Sequence, residues 1–285
     1  MAHHIDVAVI GAAGPTGRAV MDALSAAGAT TRALVHRSPS DGSRDHRVVE
    51  LADRDSLSAG MEGVRTVHYI PPTYDAAEES YGANVIAAAQ RAGAQRLVYH
   101  SVLHAPTPAM PHHWRKAKVE MLLRDSPFAW TILQPAMYVQ TALAFLSPDH
   151  TALIPGFDVG SQFSPIDLTD LAEATARILT EPGHDHATYE LAGSERLSFK
   201  DMAGVIASVT GRPITARALD PELVLKQAEH RGFAGTALDE LRLMMAHYDR
   251  HGLVGNGRIL TMILGREPTP FAQAVERSLR TPASR

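Results

Sequence analysis

The stretch Ile5-Asp6-Val7-Ala8-Val9-Ile10-Gly11-Ala12-Ala13-Gly14-Pro15-Thr16-Gly17 decides the reading of this chain. Its apolar first half has the length of a buried strand. The second half carries glycines at 11, 14 and 17, and Val20, Ala23 and Leu24 then recur at helical spacing. Strand, glycine turn and helix form the context in which such glycines mark a dinucleotide site. Gly11 permits the tight turn, Gly14 lets backbone approach a pyrophosphate, and Gly17 lets helix and strand pack closely. The phosphates then meet a helix N-terminus, where N–H groups and the helix dipole favour negative charge. The spacing is G-x-x-G-x-x-G rather than G-x-G-x-x-G, and a ligand-free glycine turn is the alternative.

Working outward, further strands are expected at 31–35, 48–51, 66–70, 96–101 and 130–133. Helices are expected at 77–91, with Gly93 as its stop, and at 113–124. This alternation predicts an α/β fold, a doubly wound parallel Rossmann sheet. Residues 163–167, a helix at 168–179 and a strand at 189–193 look like a return to that sheet. The remainder reads as helices near 198–210, 221–230, 237–248 and 271–279. The expected division is therefore 1–135, completed by about 161–193, for the Rossmann domain. Residues 136–160 and 194–285 would form a smaller, mostly helical substrate-binding part.

Composition narrows the function. The chain has 285 residues, 45% of them hydrophobic, and a formal net charge of −4, enough for a large core and without the basic balance of a nucleic-acid surface. No run is apolar enough for a membrane span. The lack of cysteine excludes thiol catalysis and agrees with a cytoplasmic location. His112-His113 and His184-Asp185-His186 lack the spacing and third partner of a zinc site, so no metal is expected. The oligomeric state is not legible.

Cofactor choice is read at the end of the second strand, where a carboxylate suits NAD and an arginine suits the extra phosphate of NADP. Here the strand ends Val35-His36-Arg37-Ser38-Pro39, with no carboxylate until Asp41. Arg37 offers a planar fork to a phosphate and Ser38 a hydroxyl, which points to NADPH/NADP. An ordinary solvated arginine is the alternative. The turn residues Pro15 and Thr16, with Ile70, Pro71 and Pro135 after the later strands, are placed along the same cofactor.

Together, Gly11–Gly17, Arg37-Ser38-Pro39, Lys116-Ala117-Lys118-Val119-Glu120, Thr131-Ile132-Leu133-Gln134-Pro135 and Leu264-Gly265-Arg266-Glu267-Pro268-Thr269 carry a resemblance. Over nearly its whole length the chain resembles the NmrA-like branch of the atypical short-chain dehydrogenases/reductases. That branch includes reductases of quinones and aromatic metabolites and also proteins that bind NADP(H) and regulate partners without turnover. The resemblance implies a serine after the fifth strand, Ser101, and a lysine that holds the nicotinamide ribose, Lys116. It also places Asp53 beside the adenine, although Asp53 is equally suited to cap the helix that follows. The usual tyrosine four residues before the lysine is replaced by His112, which shares a helix face with Lys116. A histidine can donate a proton near neutral pH.

The expected activity is thus NADPH-dependent reduction of a ketone or quinone carbonyl on a bulky aromatic small molecule, of the kind a tailoring ketoreductase performs. Ser101, His112 and Lys116 would be catalytic, and Met137, Tyr138, Phe157, Phe233 and Met244 would touch substrate. The rivals are a non-catalytic NADP(H) sensor with a protein partner and an isomerase or epimerase with a held cofactor.

Overall fold

The computed structural model describes residues 5–38 and 45–280, so Pro39 and Asp41 of the cofactor argument lie outside the described residues. The opening apolar run is buried at every position except Asp6, as a strand covered on both faces must be. It forms β1 (Ile5–Ile10) and passes through the glycine turn into α1 (Pro15–Ala26). The alternation continues as β2 (Thr31–Val35), β3 (His46–Val48), α2 (Arg54–Gly60), β4 (Val64–Tyr69) and α3 (Glu78–Arg91). Then come β5 (Arg96–His100), α4 (Pro111–Arg124) and β6 (Ala129–Pro135).

These strands form one sheet in the order β3-β2-β1-β4-β5-β6, with β9 (Ala187–Leu191) beside β6. Every ladder from β3 to β6 is parallel, with Val9 level with Ala33 on one side and His68 on the other. The chain order reverses between β1 and β4. Such a switch point leaves a crevice beyond the carboxyl ends of the strands, where ligands of this architecture bind. The third strand lies two to three residues earlier than the sequence suggests, which leaves residues 49–51 as connection.

Two compact units are formed. The first comprises residues 1–106, 112–134 and 171–189, and carries the sheet and the fingerprint. The second comprises 107–111, 135–170 and 190–285. Residues 161–170 therefore pack with the second unit and not with the Rossmann part. The cause is visible at β8 (Gln162–Phe163), which pairs with β10 (Leu197–Ser198) instead of returning to the main sheet.

Within the second unit Phe163 sits in an aromatic cluster with Phe157, Phe199 and Tyr248, at ring separations of 5.3–5.6 Å. Asp170 accepts hydrogen bonds from Arg266 and from the backbone and hydroxyl of Thr269. The late Gly-Arg-Glu-Pro-Thr motif is thus a structural tie to a buried carboxylate. Two helices in this unit, α8 (Pro221–His230) and α9 (Thr236–His251), pack on each other. Among the described residues no helix is long and apolar enough to cross a membrane.

Candidate active site

A cleft of about 580 Å³ opens in the first unit at the switch point. Its walls are residues 10–11 and 13–17 after β1, 34–36 at the end of β2, 49–51 after β3, and 70–73, 75 and 81 after β4. All of these are carboxyl ends of strands or the first turns that follow. The structure thereby brings together Gly11, Gly14, Pro15, Thr16, Gly17, Ile70 and Pro71.

The three glycines differ in what they answer to. Gly11 has φ of +83°, and a Cβ there would stand 2.6 Å from the Ile70 carbonyl oxygen. At Gly17 a Cβ would stand 2.2 Å from the Gly11 carbonyl oxygen, so helix and turn touch backbone to backbone. Gly14 is unlike both. A Cβ there meets only the Gly11 carbonyl oxygen, at an ordinary 3.5 Å, and the backbone at φ −72° is open to any residue. Among the described residues nothing demands a glycine at 14. It is also the N-cap of α1, which has no side-chain cap and no acid in its first turn. An open cradle before an uncapped, acid-free helix start fits a pyrophosphate.

The rim at the other end of the cleft is more polar. His36 and Glu50 both line it, with His36 Nδ1 3.3 Å from Glu50 Oε2. Arg37 and Ser38 are exposed beside it and are not part of the wall; Arg37 has no side-chain partner among the described residues. Asp53 is the N-cap of α2, accepting from the backbone of Asp55 and Ser56 at 2.8 and 3.3 Å. It lies off the cleft wall, so capping is the role the structure gives it. Pro135 is buried at the end of β6, also away from this wall.

Two of the three residues expected to do chemistry, Ser101 and Lys116, are each held by an internal carboxylate. Ser101 Oγ donates to Glu120 Oε1 at 2.5 Å, and Gln134 Nε2 donates to the same oxygen at 2.7 Å. Arg124 bonds the second oxygen of Glu120. Lys116 Nζ is 2.6 Å from Glu78 Oε1, which also accepts from Tyr99 OH at 2.8 Å. Burial lowers the Lys116 ammonium, while Glu78 opposes the shift. Burial, with Glu78 next, raises the Tyr69 and Tyr99 hydroxyls.

His112 is buried in the first turn of α4, its ring 4.8 Å from Tyr74 and 4.6 Å from His113. Burial lowers its pKa to about 2, with His113 and Lys116 acting in the same direction. Burial thus favours the neutral form of the ring in this environment. Its Nδ1 has no hydrogen-bond partner among the described residues. The matching carboxylates Glu78 and Glu120 were missed by the sequence reading. Only Glu120 lay in a quoted motif, and Glu78 is 38 residues from the lysine it holds.

Of the expected substrate contacts, Phe157 is 4% exposed and belongs to the aromatic cluster of the second unit, so it is a core residue. Met137, Tyr138, Phe233 and Met244 are half-buried. The first two precede α5 (Val139–Leu143), Phe233 lies between α8 and α9, and Met244 is on α9. The histidines read against a metal have other partners: Asp185 pairs with Arg96, His184 with Tyr189, and His186 packs on Trp130.

Comparison with known proteins bears on the whole chain. The sequence pattern of the NmrA-like family matches residues 4–269. Quinone oxidoreductase 2 of Escherichia coli strain K12 is 24% identical over 280 residues, covering 94% of this chain and 97% of that protein. An NAD(P)H azoreductase of Xenophilus azovorans is 25% identical over 275 residues, with 94% and 96% coverage. The crystal structure of the E. coli quinone oxidoreductase with NADPH superposes with a TM-score of 0.82 at 24% identity, covering 96% of this chain and 99% of that one.

Proposed function

The chain belongs to the NmrA-like family, and from that membership we propose that it is an NADPH-dependent oxidoreductase acting on quinone-like small molecules. The observation that carries the reading is the cleft at the switch point. Among the described residues, no contact requires the glycine at 14, and Arg37, beside the polar rim, has no side-chain partner. The relatives' names, a quinone oxidoreductase and an NAD(P)H azoreductase, support the reaction class.

Bound NADPH supplies the hydride. The chain's part is to hold the pyrophosphate against the 14–17 turn and to keep Arg37 within reach of the 2′-phosphate. Ser101 and Lys116 act as rigid members of a buried polar layer, and the proton reaches a reduced quinone oxygen from solvent or from the substrate's own ionisable groups. A ketone on a bulky aromatic compound remains within this reading, as for a tailoring ketoreductase, with Met137, Tyr138, Phe233 and Met244 as its contacts.

A second reading, an NADP(H)-responsive protein without turnover, is favoured by one observation: Ser101 and Lys116, expected to hold the substrate carbonyl and the nicotinamide ribose, are engaged by Glu120 and Glu78. The two part on a simple assay. The oxidoreductase reading expects NADPH oxidation with quinones or aromatic ketones; the sensor reading expects none, together with a protein partner that distinguishes NADPH from NADP⁺. In direct titration NADPH should bind more tightly than NADH by about 1–2 kcal/mol, and Arg37→Ala should remove most of that difference. Equal affinities that the Arg37→Ala change leaves untouched would remove Arg37 from the site.

A further inference from the structure

We propose that an opposed pair, His36 and Glu50, tunes the dinucleotide choice that Arg37 biases, so that the cleft accepts both NADPH and NADH and tilts further toward NADPH as pH falls. The inference rests on the dinucleotide reading given above. It starts from a difference between neighbours. Arg37 stands outside the cleft wall, whereas His36, one residue closer to β2, is part of it. This is the level at which a Rossmann sheet reads the 2′ substituent of the adenosine ribose.

Glu50 reaches the same place from the connection after β3, with its carboxylate 3.3 Å from His36 Nδ1. Both side chains are more than half exposed, at 69% and 52%, so a ligand can reach either one. Among the described residues, the other charged or titratable groups here are Arg37 on the same segment and Asp75 and Tyr81 on the wall that follows β4. Asp75 is partly occupied, since its Oδ1 accepts from the backbone of Ala77 at 2.8 Å.

The two partners have opposite preferences. A 2′-phosphate carries up to two negative charges and takes charge-assisted hydrogen bonds from an imidazolium. The same phosphate is repelled by the Glu50 carboxylate. A bare ribose reverses this, because its 2′-hydroxyl can donate to Glu50 and needs no cation. Histidine is the side chain whose charge changes between about pH 5 and 8, so protonation shifts the balance toward the phosphate. The phosphate itself has a second ionisation near pH 6, and its loss of charge on acidification acts the other way. The sign of the pH effect therefore identifies which group controls it.

The test is fluorescence titration of the purified full chain with NADPH and with NADH at pH 6 and pH 8, with melting curves confirming that each variant is folded. In the unchanged protein the NADPH-to-NADH affinity ratio should be several-fold larger at pH 6. Glu50→Gln should raise the ratio by about tenfold, the scale of one charge-assisted contact, by improving NADPH binding and weakening NADH binding. His36→Gln should lower the ratio and reverse its pH dependence, because only the phosphate then titrates. A ratio that falls on acidification in the unchanged protein, or that is the same in both variants, overturns the inference while leaving the dinucleotide site intact. Failure of either dinucleotide to bind the folded, unchanged protein would overturn the reading of the cleft itself.

Discussion

The cleft beyond β1 is made of backbone and open space, whereas the layer beneath α4 is made of charged and polar groups that have already found each other. In the cleft, Gly14 leaves a gap that no other described residue fills. Under α4, Lys116 is closed by Glu78 and Ser101 by Glu120. Glu78 and Glu120 are buried, at 0% and 2% exposure, which such carboxylates tolerate only when paired. The first place is open; the second is closed by its own pairs. Conserving a residue type at a motif position does not decide which of the two it serves.

The sharpest way to break this contrast is to fill the two glycines of the turn that look alike in sequence. Gly17→Val places side-chain atoms against the Gly11 carbonyl and the backbone of Ala12, so the strand-to-helix turn has to open. We expect this variant to be insoluble or to lose most of the stability of the first unit, as read by circular dichroism. Gly14→Val meets no such contact and should melt within a few degrees of the parent, yet lose NADPH and NADH binding at least a hundredfold. A folded Gly14→Val protein with unchanged affinity would move the dinucleotide out of this cleft.

The polar layer is tested by removing one half of a pair. Glu78→Ala leaves the Lys116 ammonium buried without its carboxylate and leaves Tyr99 OH without its acceptor. Breaking a buried pair in this way costs about 3–5 kcal/mol, measurable by urea unfolding. The double variant Glu78→Gln with Lys116→Met should recover much of the loss, since no isolated charge remains. Equal losses in single and double variants would show that the pair is packing alone.

The same layer gives the protein an acid limit. His68, fully buried on β4, bonds the Val98 carbonyl, and burial lowers its pKa from 6.5 to about 4 despite that bond. The unfolded chain thus binds more protons than the folded one between these values. Stability is fully present above about pH 6.5 and falls as pH drops toward 4, by about 3 kcal/mol for this group alone. The lowered values of His100 and His112 act in the same direction. His68→Asn should flatten that limb of the stability–pH curve, and an unchanged limb would place the titration elsewhere.

What was legible in the sequence follows the same line. The turn was readable because its constraint is local: three glycines, a strand before and a helix after, all within 20 residues. The parallel sheet was readable because buried runs and helices alternate. Less legible were features fixed by residues far apart. The stretch 163–167 reads as a return to the main sheet, but Phe163 is taken by an aromatic cluster of the second unit. Phe157, read as a substrate contact, belongs to that cluster as well. Lys116 is read from the resemblance and His112 from its place four residues before that lysine, and neither reading reaches Glu78 or Tyr74, which come from the chain after β4. Tyr74 also adopts φ of +57°, a conformation no composition rule flags.

The smallest expected effect separates a support from a proton donor. A general acid contributes about 10²–10⁴-fold to turnover, so His112→Phe would be severe if the imidazole delivered the proton. With burial holding its pKa near 2, the ring is neutral at working pH and carries no charge to lose. Phenylalanine keeps a flat ring in contact with Tyr74 and His113, so packing is largely retained. We therefore expect less than a tenfold fall in kcat for quinone reduction, unchanged NADPH affinity, and a pH profile of the same shape as the parent. Stability should rise slightly or stay level, because a buried nitrogen without a partner among the described residues is removed. A hundredfold loss with a displaced pH profile would make His112 a proton donor after all, and would mean that substrate binding rehydrates or recharges a ring that this structure keeps dry.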